Sequence, residues 1–91
     1  TLFRSIDLYV LENHTDQNRL GISVSKKVGN SVVRHRLTRL IRESYRLQEE
    51  RFGRGYDIVV IARVSAKGKN YHDIEKALLH LAGLHKIIDQ G

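Results

Sequence analysis

The chain has 91 residues, 41% of them apolar, which suits one compact domain with one modest core. It contains no Cys and no apolar run approaching the ~20 residues of a membrane span, so disulfides, thiolate metal sites and transmembrane helices are excluded. The formal net charge of +6 lies in one window, residues 26–42, which holds six of the 16 basic residues and none of the ten acidic ones. Charge concentrated in this way favours a polyanionic partner.

Two strands joined by a polar turn are predicted at the start of the chain. Residues 5–11 and residues 19–25 both alternate between apolar and other side chains, which is typical of strands with one face on a core. The inward side chains are Ile6, Leu8 and Val10 in the first strand and Leu20, Ile22 and Val24 in the second.

The opposite face of the second strand carries only small side chains, those of Gly21, Ser23 and Ser25. One interpretation is an ordinary exposed sheet surface. The other is the floor of a groove, with Tyr9 beside it on the neighbouring strand. Tyr9 is then either a partly exposed strand residue or a platform on which an unpaired base stacks.

A long helix is predicted over residues 31–51, with Asn30 or Ser31 as its N-cap and Gly53 as its stop. Its apolar stripe consists of Val33, Leu37, Leu40, Ile41 and Leu47, and centres near Leu40 and Val33. The opposite side carries His35, Arg39, Arg42 and Arg46. Arg34 and Arg36 flank the stripe at its two edges.

A third strand over residues 56–63 is predicted to be central, because residues 58–62 are apolar on both faces. With the second strand and the long helix it forms a β-α-β unit. A loop with Lys67 and Lys69 leads to a last helix, capped by Asn70 with Asp73 three residues on, and interrupted by Gly83.

The residues do not indicate a protein active site. The five histidines are scattered, no nucleophile motif accompanies them, and the acids form no metal-binding cluster. The start of the long helix instead brings Lys26, Lys27, Arg34 and Arg36 near free backbone N–H groups, which is a phosphate-binding arrangement. A surface helix also carries Arg for solubility alone, but such faces usually mix both charge signs. The missing acids therefore favour binding.

The segment RLGISVSKKVGNSVVRHRLTRLIRESYRL, residues 19–47, closely resembles the signature of the bacterial ribonuclease P protein subunit. YDIVVIAR and YHDIEKALLHL follow in the family's order, so the resemblance extends from about residue 5 to residue 88. It implies one RNA-binding domain over residues 1–91 with an α+β fold. That fold is a two-layer sandwich in which a long basic helix and a C-terminal helix pack on a mixed β-sheet. The family's β-α-β crossover is left-handed, which is rare, and its fold is akin to domains of a ribosomal protein and of a translation factor.

The resemblance also implies a function. The partners would be a large catalytic RNA and precursor tRNA, in the cytoplasm, with no membrane and no obligate protein partner. The holoenzyme would remove the 5′ leader of precursor tRNA by Mg²⁺-dependent hydrolysis. The RNA would hold the catalytic Mg²⁺, and the protein would supply no catalytic residue.

The family's binding residues map onto this chain in two groups. Those expected to contact RNA are Lys26, Lys27, Asn30, Arg34, His35, Arg36, Arg39 and Arg42, and those expected to face the leader groove are Tyr9, Ser23 and Ser25. The family usually has Asn where this chain has His35, which changes the geometry of that contact. The family's aromatic-bearing N-terminal helix has no counterpart in the sequence, which begins at Thr1, and we expect further residues upstream.

Two other functions remain open at this point. One is a structural, ribosomal-type RNA-binding protein of the same fold with no role in cleavage. The other is a self-sufficient protein nuclease that uses His35.

Overall fold

The computed structural model describes residues 5–88. The strands are β1 (Ile6–Glu12), β2 (Arg19–Val24) and β3 (Tyr56–Ala62), and the helices are α1 (Ser31–Leu47) and α2 (Tyr71–Leu84). Short 3₁₀ turns occupy Glu49–Arg51 and Val64–Ala66. The predicted elements are all present in the predicted order, and the α+β class is confirmed.

The three strands form one mixed sheet in the order β1-β3-β2. β3 runs antiparallel to β1 and parallel to β2, so β2, α1 and β3 form the predicted β-α-β crossover. The central position of β3 is confirmed. The prediction that Tyr9 lies on the strand next to β2 is wrong, because Val59 of β3 pairs with Tyr9 on one side and with Gly21 on the other.

The helices cover one face of the sheet. α1 packs over β2, α2 packs over β1, and the two helices pack against each other. The core between the layers includes Ile6, Leu8, Leu37, Ile41, Ile58, Val60, Ile74 and Leu78. Residues 58–62 were predicted to be buried on both faces, but Val59 is 39% exposed because no described element covers the second face.

α1 begins as predicted but is rotated from its predicted phase. Asn30 is the N-cap, and its side chain accepts a hydrogen bond from the backbone N–H of Val33 at 3.0 Å. The buried residues of the helix are Leu37, Ile41, Ser44 and Tyr45. Leu40 and Val33 are partly buried and pack against the core, as predicted, but the stripe centres on Leu37 and Ile41 and not on Leu40 and Val33. Leu47 is 54% exposed, so the prediction that it belongs to the core stripe is wrong.

The rotation arises because Ser44 and Tyr45 lie in the core in place of Leu47. The Ser44 hydroxyl donates to the carbonyl of Leu40 at 2.7 Å, so this buried polar group is satisfied within the helix. Tyr45 packs edge-on against Phe52, with 4.9 Å between ring centroids. Hydropathy ranks neither Ser nor Tyr with Leu, so the sequence pattern placed the stripe on the wrong residues.

α1 ends at Leu47, four residues before the predicted end, and Gly53 is not its stop. Gln48 is the C-cap, and Glu49–Arg51 continues as a 3₁₀ turn. In a continuous helix Tyr45 and Phe52 would be about 10.5 Å apart along the axis, at 1.5 Å per residue. The turn instead returns Phe52 to the core, where it is 5% exposed.

α2 has the predicted capping box, in which the Asn70 side chain accepts from the N–H of Asp73 and the Asp73 side chain accepts from the N–H of Asn70. Gly83 does not interrupt the helix, which continues to Leu84. No helix within residues 5–88 is long and apolar enough to cross a membrane.

Candidate nucleic-acid interface

The basic window spans the loop after β2 and most of α1. Lys26 and Lys27 are exposed, while the next residue, Val28, is 2% exposed and belongs to the core. The N–H of Val28 donates to the carbonyl of Ser25 at 3.1 Å and closes a turn. The buried Val28 therefore anchors the loop, and the two lysines extend into solvent just ahead of the helix.

Three of the predicted RNA-binding residues in α1 lie on the side of the helix away from Leu37 and Ile41. His35, Arg39 and Arg42 are exposed, and together with Lys26 and Lys27 we call them the basic face. Arg34 and Arg36 are about 200° apart around the axis, at 100° per residue. Arg34 shares the angular position of the buried Ile41 and Tyr45, so its predicted place at an edge of the stripe is wrong, whereas Arg36 lies outside the stripe. Arg34 is partly buried and Arg36 is exposed.

The cations of the window have no carboxylate partner among residues 5–88. The salt bridges in that part of the chain are Arg19–Asp57, Arg46–Glu43 and Arg63–Asp7, and each uses an arginine outside the window. Arg46, which was predicted to lie on the basic side, is bonded to Glu43, and this contact holds the pKa of Glu43 below its usual value. Arg39 lies near the same carboxylate without a hydrogen bond to it.

Arg36 joins the helix to a loop that is distant in the sequence. Its Nη2 donates to the backbone carbonyl of Lys69 at 2.9 Å. A guanidinium group has five N–H donors, so this single bond fixes its orientation and leaves the other donors for further acceptors. The sequence pattern contained no signal for this contact, because it joins residues 33 positions apart.

Arg34 and Asn30 are placed differently from the exposed cations. The Nε of Arg34 is buried and has no hydrogen-bond partner among the described residues. A buried donor without an acceptor costs about 1–3 kcal/mol. The side-chain oxygen of Asn30 already accepts the capping hydrogen bond, so its NH₂ group is the part of the side chain that remains to donate to RNA.

A concavity of about 690 Å³ lies against the exposed side of α1. Its lining residues are Val32, His35, Arg36, Arg39, Leu40, Arg42 and Glu43. Val32 and the partly buried Leu40 give it an apolar floor, and cations surround that floor. The surface therefore offers both charge and some apolar contact area to a polyanion.

The second face of the sheet, which we call the open face, contains the predicted leader-groove positions. One row across it is Tyr9–Val59–Gly21, and the next is Asp7–Ile61–Ser23. Tyr9 is 57% exposed. Ser25 is exposed just beyond the end of β2. Val59 and Ile61 also belong to this face, although the sequence pattern predicted that they would be buried in the core.

Two salt bridges flank the open face. Arg19 donates twice to Asp57, at 2.8 and 2.7 Å, and Arg63 contacts Asp7 at 3.1 Å. The Arg19 hydrogen bond, together with one from Asn13, lowers the pKa of Asp57 from 3.8 to about 2. Both carboxylates are therefore neutralised by neighbouring arginines, so the centre of the face is apolar and its ends are charge-balanced.

The described residues do not fit a resident Mg²⁺ site. Between residues 5 and 88 there is no group of three or more His, Asp or Glu side chains that could hold a metal ion. Carboxylates with protein donors already bonded to them are Asp7, Glu43, Asp57, Asp73 and Glu75.

Comparison with known proteins identifies the family of the chain. The family model described as Ribonuclease P matches residues 3–86. The chain is 65% identical over 84 residues to the ribonuclease P protein component of Lachnoclostridium phytofermentans, covering 92% of this chain and 72% of that protein. It is 55% identical over 86 residues to the same component of Clostridium acetobutylicum, covering 89% of this chain and 72% of that protein.

Solved structures give the same result. The RNase P protein of Staphylococcus aureus superposes with a TM-score of 0.84 at 38% identity, covering 94% of this chain and 79% of that one. The protein from Thermotoga maritima superposes with a TM-score of 0.81 at 30% identity, covering 87% of this chain and 76% of that one. The chain therefore belongs to the ribonuclease P protein family, the protein component of a tRNA-processing endoribonuclease.

Proposed function

We propose that the basic face, together with Arg34 and Arg36, binds RNA phosphates of the catalytic RNA and of precursor tRNA, and that the open face binds the 5′ leader. In this proposal the RNA holds the Mg²⁺ ions and hydrolyses the phosphodiester bond. The protein increases the affinity of the holoenzyme for substrate and metal, and supplies no catalytic residue.

The observation that carries this proposal is the absence of carboxylate partners for the window's cations within residues 5–88. A paired arginine must give up its partner before it meets a phosphate, whereas these cations need only release counterions. Each phosphate neutralised adds about 0.7–0.9 to the slope of log affinity against log salt concentration. The six cations of the window therefore account for a slope of up to about 4–5.

The open face supports the leader part of the proposal. The exposed ring of Tyr9 stands beside Val59, and the next position across the sheet is Gly21, which has no side chain. An exposed aromatic ring next to an apolar surface without large side chains can accommodate an unpaired nucleotide. Stacking on such a ring contributes about 1–3 kcal/mol per base and is tolerant of sequence.

The carboxylates support the assignment of Mg²⁺ to the RNA. The acids that flank the open face, Asp7 and Asp57, are both engaged by arginine. Mg²⁺ prefers octahedral oxygen ligands and usually combines a few carboxylates with substrate phosphates and water. Phosphate oxygens of a folded RNA supply such ligands, and the described acids of this chain do not cluster to do so.

Cleavage of precursor tRNA by the catalytic RNA, with and without the protein, tests the proposal. We expect the protein to restore cleavage at Mg²⁺ concentrations at which the RNA alone is inactive, and to be inactive by itself. Cleavage by protein alone that is abolished by His35→Ala would instead indicate a protein nuclease. RNA binding without any stimulation of cleavage would indicate a structural RNA-binding protein.

A further inference from the structure

The loop between β3 and α2 carries a second group of cations next to the basic face. Residues 63–70 contain Arg63, Lys67 and Lys69 and no acid. Lys67 and Lys69 are exposed, and neither forms a salt bridge within the described part of the chain. The resemblance to the family assigned these two lysines no role.

The loop is held in a defined conformation by its own backbone. The N–H of Lys67 donates to the carbonyl of Val64 at 3.1 Å, and the N–H of Lys69 donates to that of Ala66 at 3.0 Å. Ala66 is fully buried and joins the loop to the core. Gly68 has φ +85° with open space beside it, so it allows the sharp bend between the two lysines.

Arg36 places this loop against α1. Its bond to the carbonyl of Lys69 fixes the loop at the edge of the helix that also carries Arg39. Two cation-bearing segments that are separated in sequence therefore lie side by side. A phosphate backbone that follows the start of α1 across Arg36 reaches the loop next.

We propose that Lys67 and Lys69 form a second phosphate contact for RNA, and that Arg36 positions this contact through its bond to the Lys69 carbonyl. The inference rests on the proposed function and extends its binding surface beyond α1. The ligand is a run of ribonucleotide phosphates, which belongs either to the catalytic RNA or to the precursor tRNA.

The test compares Lys67→Ala/Lys69→Ala with wild type and with Lys76→Ala, an exposed lysine of α2 outside the loop. One arm measures binding of the protein to the catalytic RNA, and the other measures binding of precursor tRNA to the assembled holoenzyme. Loss of two phosphate contacts should lower the log–log salt slope by about 1.4–1.8 and the affinity at 0.15 M salt roughly 10- to 30-fold in one arm. The arm that changes identifies the RNA.

Three outcomes decide the matter. Unchanged slopes in both arms, while Arg39→Ala lowers the slope, would overturn this inference and leave the proposed function in place. Unchanged slopes for every variant would overturn both. A loss in slope with Lys76→Ala of half that of the double variant or more would show a general charge effect and overturn the inference. Unchanged melting temperatures confirm that the variants are folded.

Discussion

Removing Arg39 and Arg42 together should weaken RNA binding in a salt-dependent way without unfolding the protein. Both side chains are exposed on the basic face and neither has a carboxylate bonded to it among residues 5–88. The matched control is Arg46→Ala in the same helix, because Arg46 is bonded to Glu43. All three arginines are exposed, so the comparison, made per arginine removed, tests the effect of prior pairing.

The magnitude follows from counterion release. Two lost phosphate contacts lower the log–log slope by about 1.4–1.8. Between 0.05 and 0.20 M salt, the ratio of wild-type to variant affinity should then shrink about 7- to 12-fold. Because Arg46 is already paired with Glu43, Arg46→Ala should leave the slope nearly unchanged.

The assay is equilibrium binding to the catalytic RNA at four or more salt concentrations, with a melting curve for each variant. Parallel lines for wild type and Arg39→Ala/Arg42→Ala would refute the reasoning, since they would mean that neither cation meets a phosphate. A drop in slope of about 0.7–0.9 with Arg46→Ala, which is half that expected for the double variant, would also refute it, because pairing would then be irrelevant.

Leu37→Ala truncates a fully buried side chain and should lower the free energy of unfolding by about 2–5 kcal/mol, whereas Leu40→Ala should lower it clearly less. Denaturant titration measures both values, and the reverse order would contradict the observed helix phase. Because the folded-state pKa of Asp57 is depressed to about 2, its ionised form stabilises the fold above about pH 4, and this contribution is lost as pH falls from 4 to 2. Asp57→Asn should therefore lose less stability over that range than wild type in acid titrations, and an equal loss would argue against the Asp57 salt bridge. Gly21→Leu should weaken leader binding. The melting temperature should change little, since a Cβ added at this position meets only Val59 Cγ2, at 3.8 Å. Unchanged affinity for precursor tRNA with a long leader would exclude Gly21 from the groove.

The elements, the family and the charged window could be predicted from local sequence. Alternation identified β1 and β2, and Asn30 and Asn70 marked the starts of both helices, since a cap acts within four residues of itself. The phase and end of α1 could not be predicted, because Tyr45 and Phe52 meet only when the chain leaves the helix at Gln48.

By itself the sequence determined that α1 would carry an excess of cations, because the charge of a side chain follows from the residue type. Tertiary structure alone decided which of those cations reach other elements and which strands are neighbours. Arg36 reaches the carbonyl of Lys69, and Tyr9 is separated from Gly21 by β3. The positions of these groups depend on contacts between residues up to 50 positions apart, and no local pattern encodes such distances.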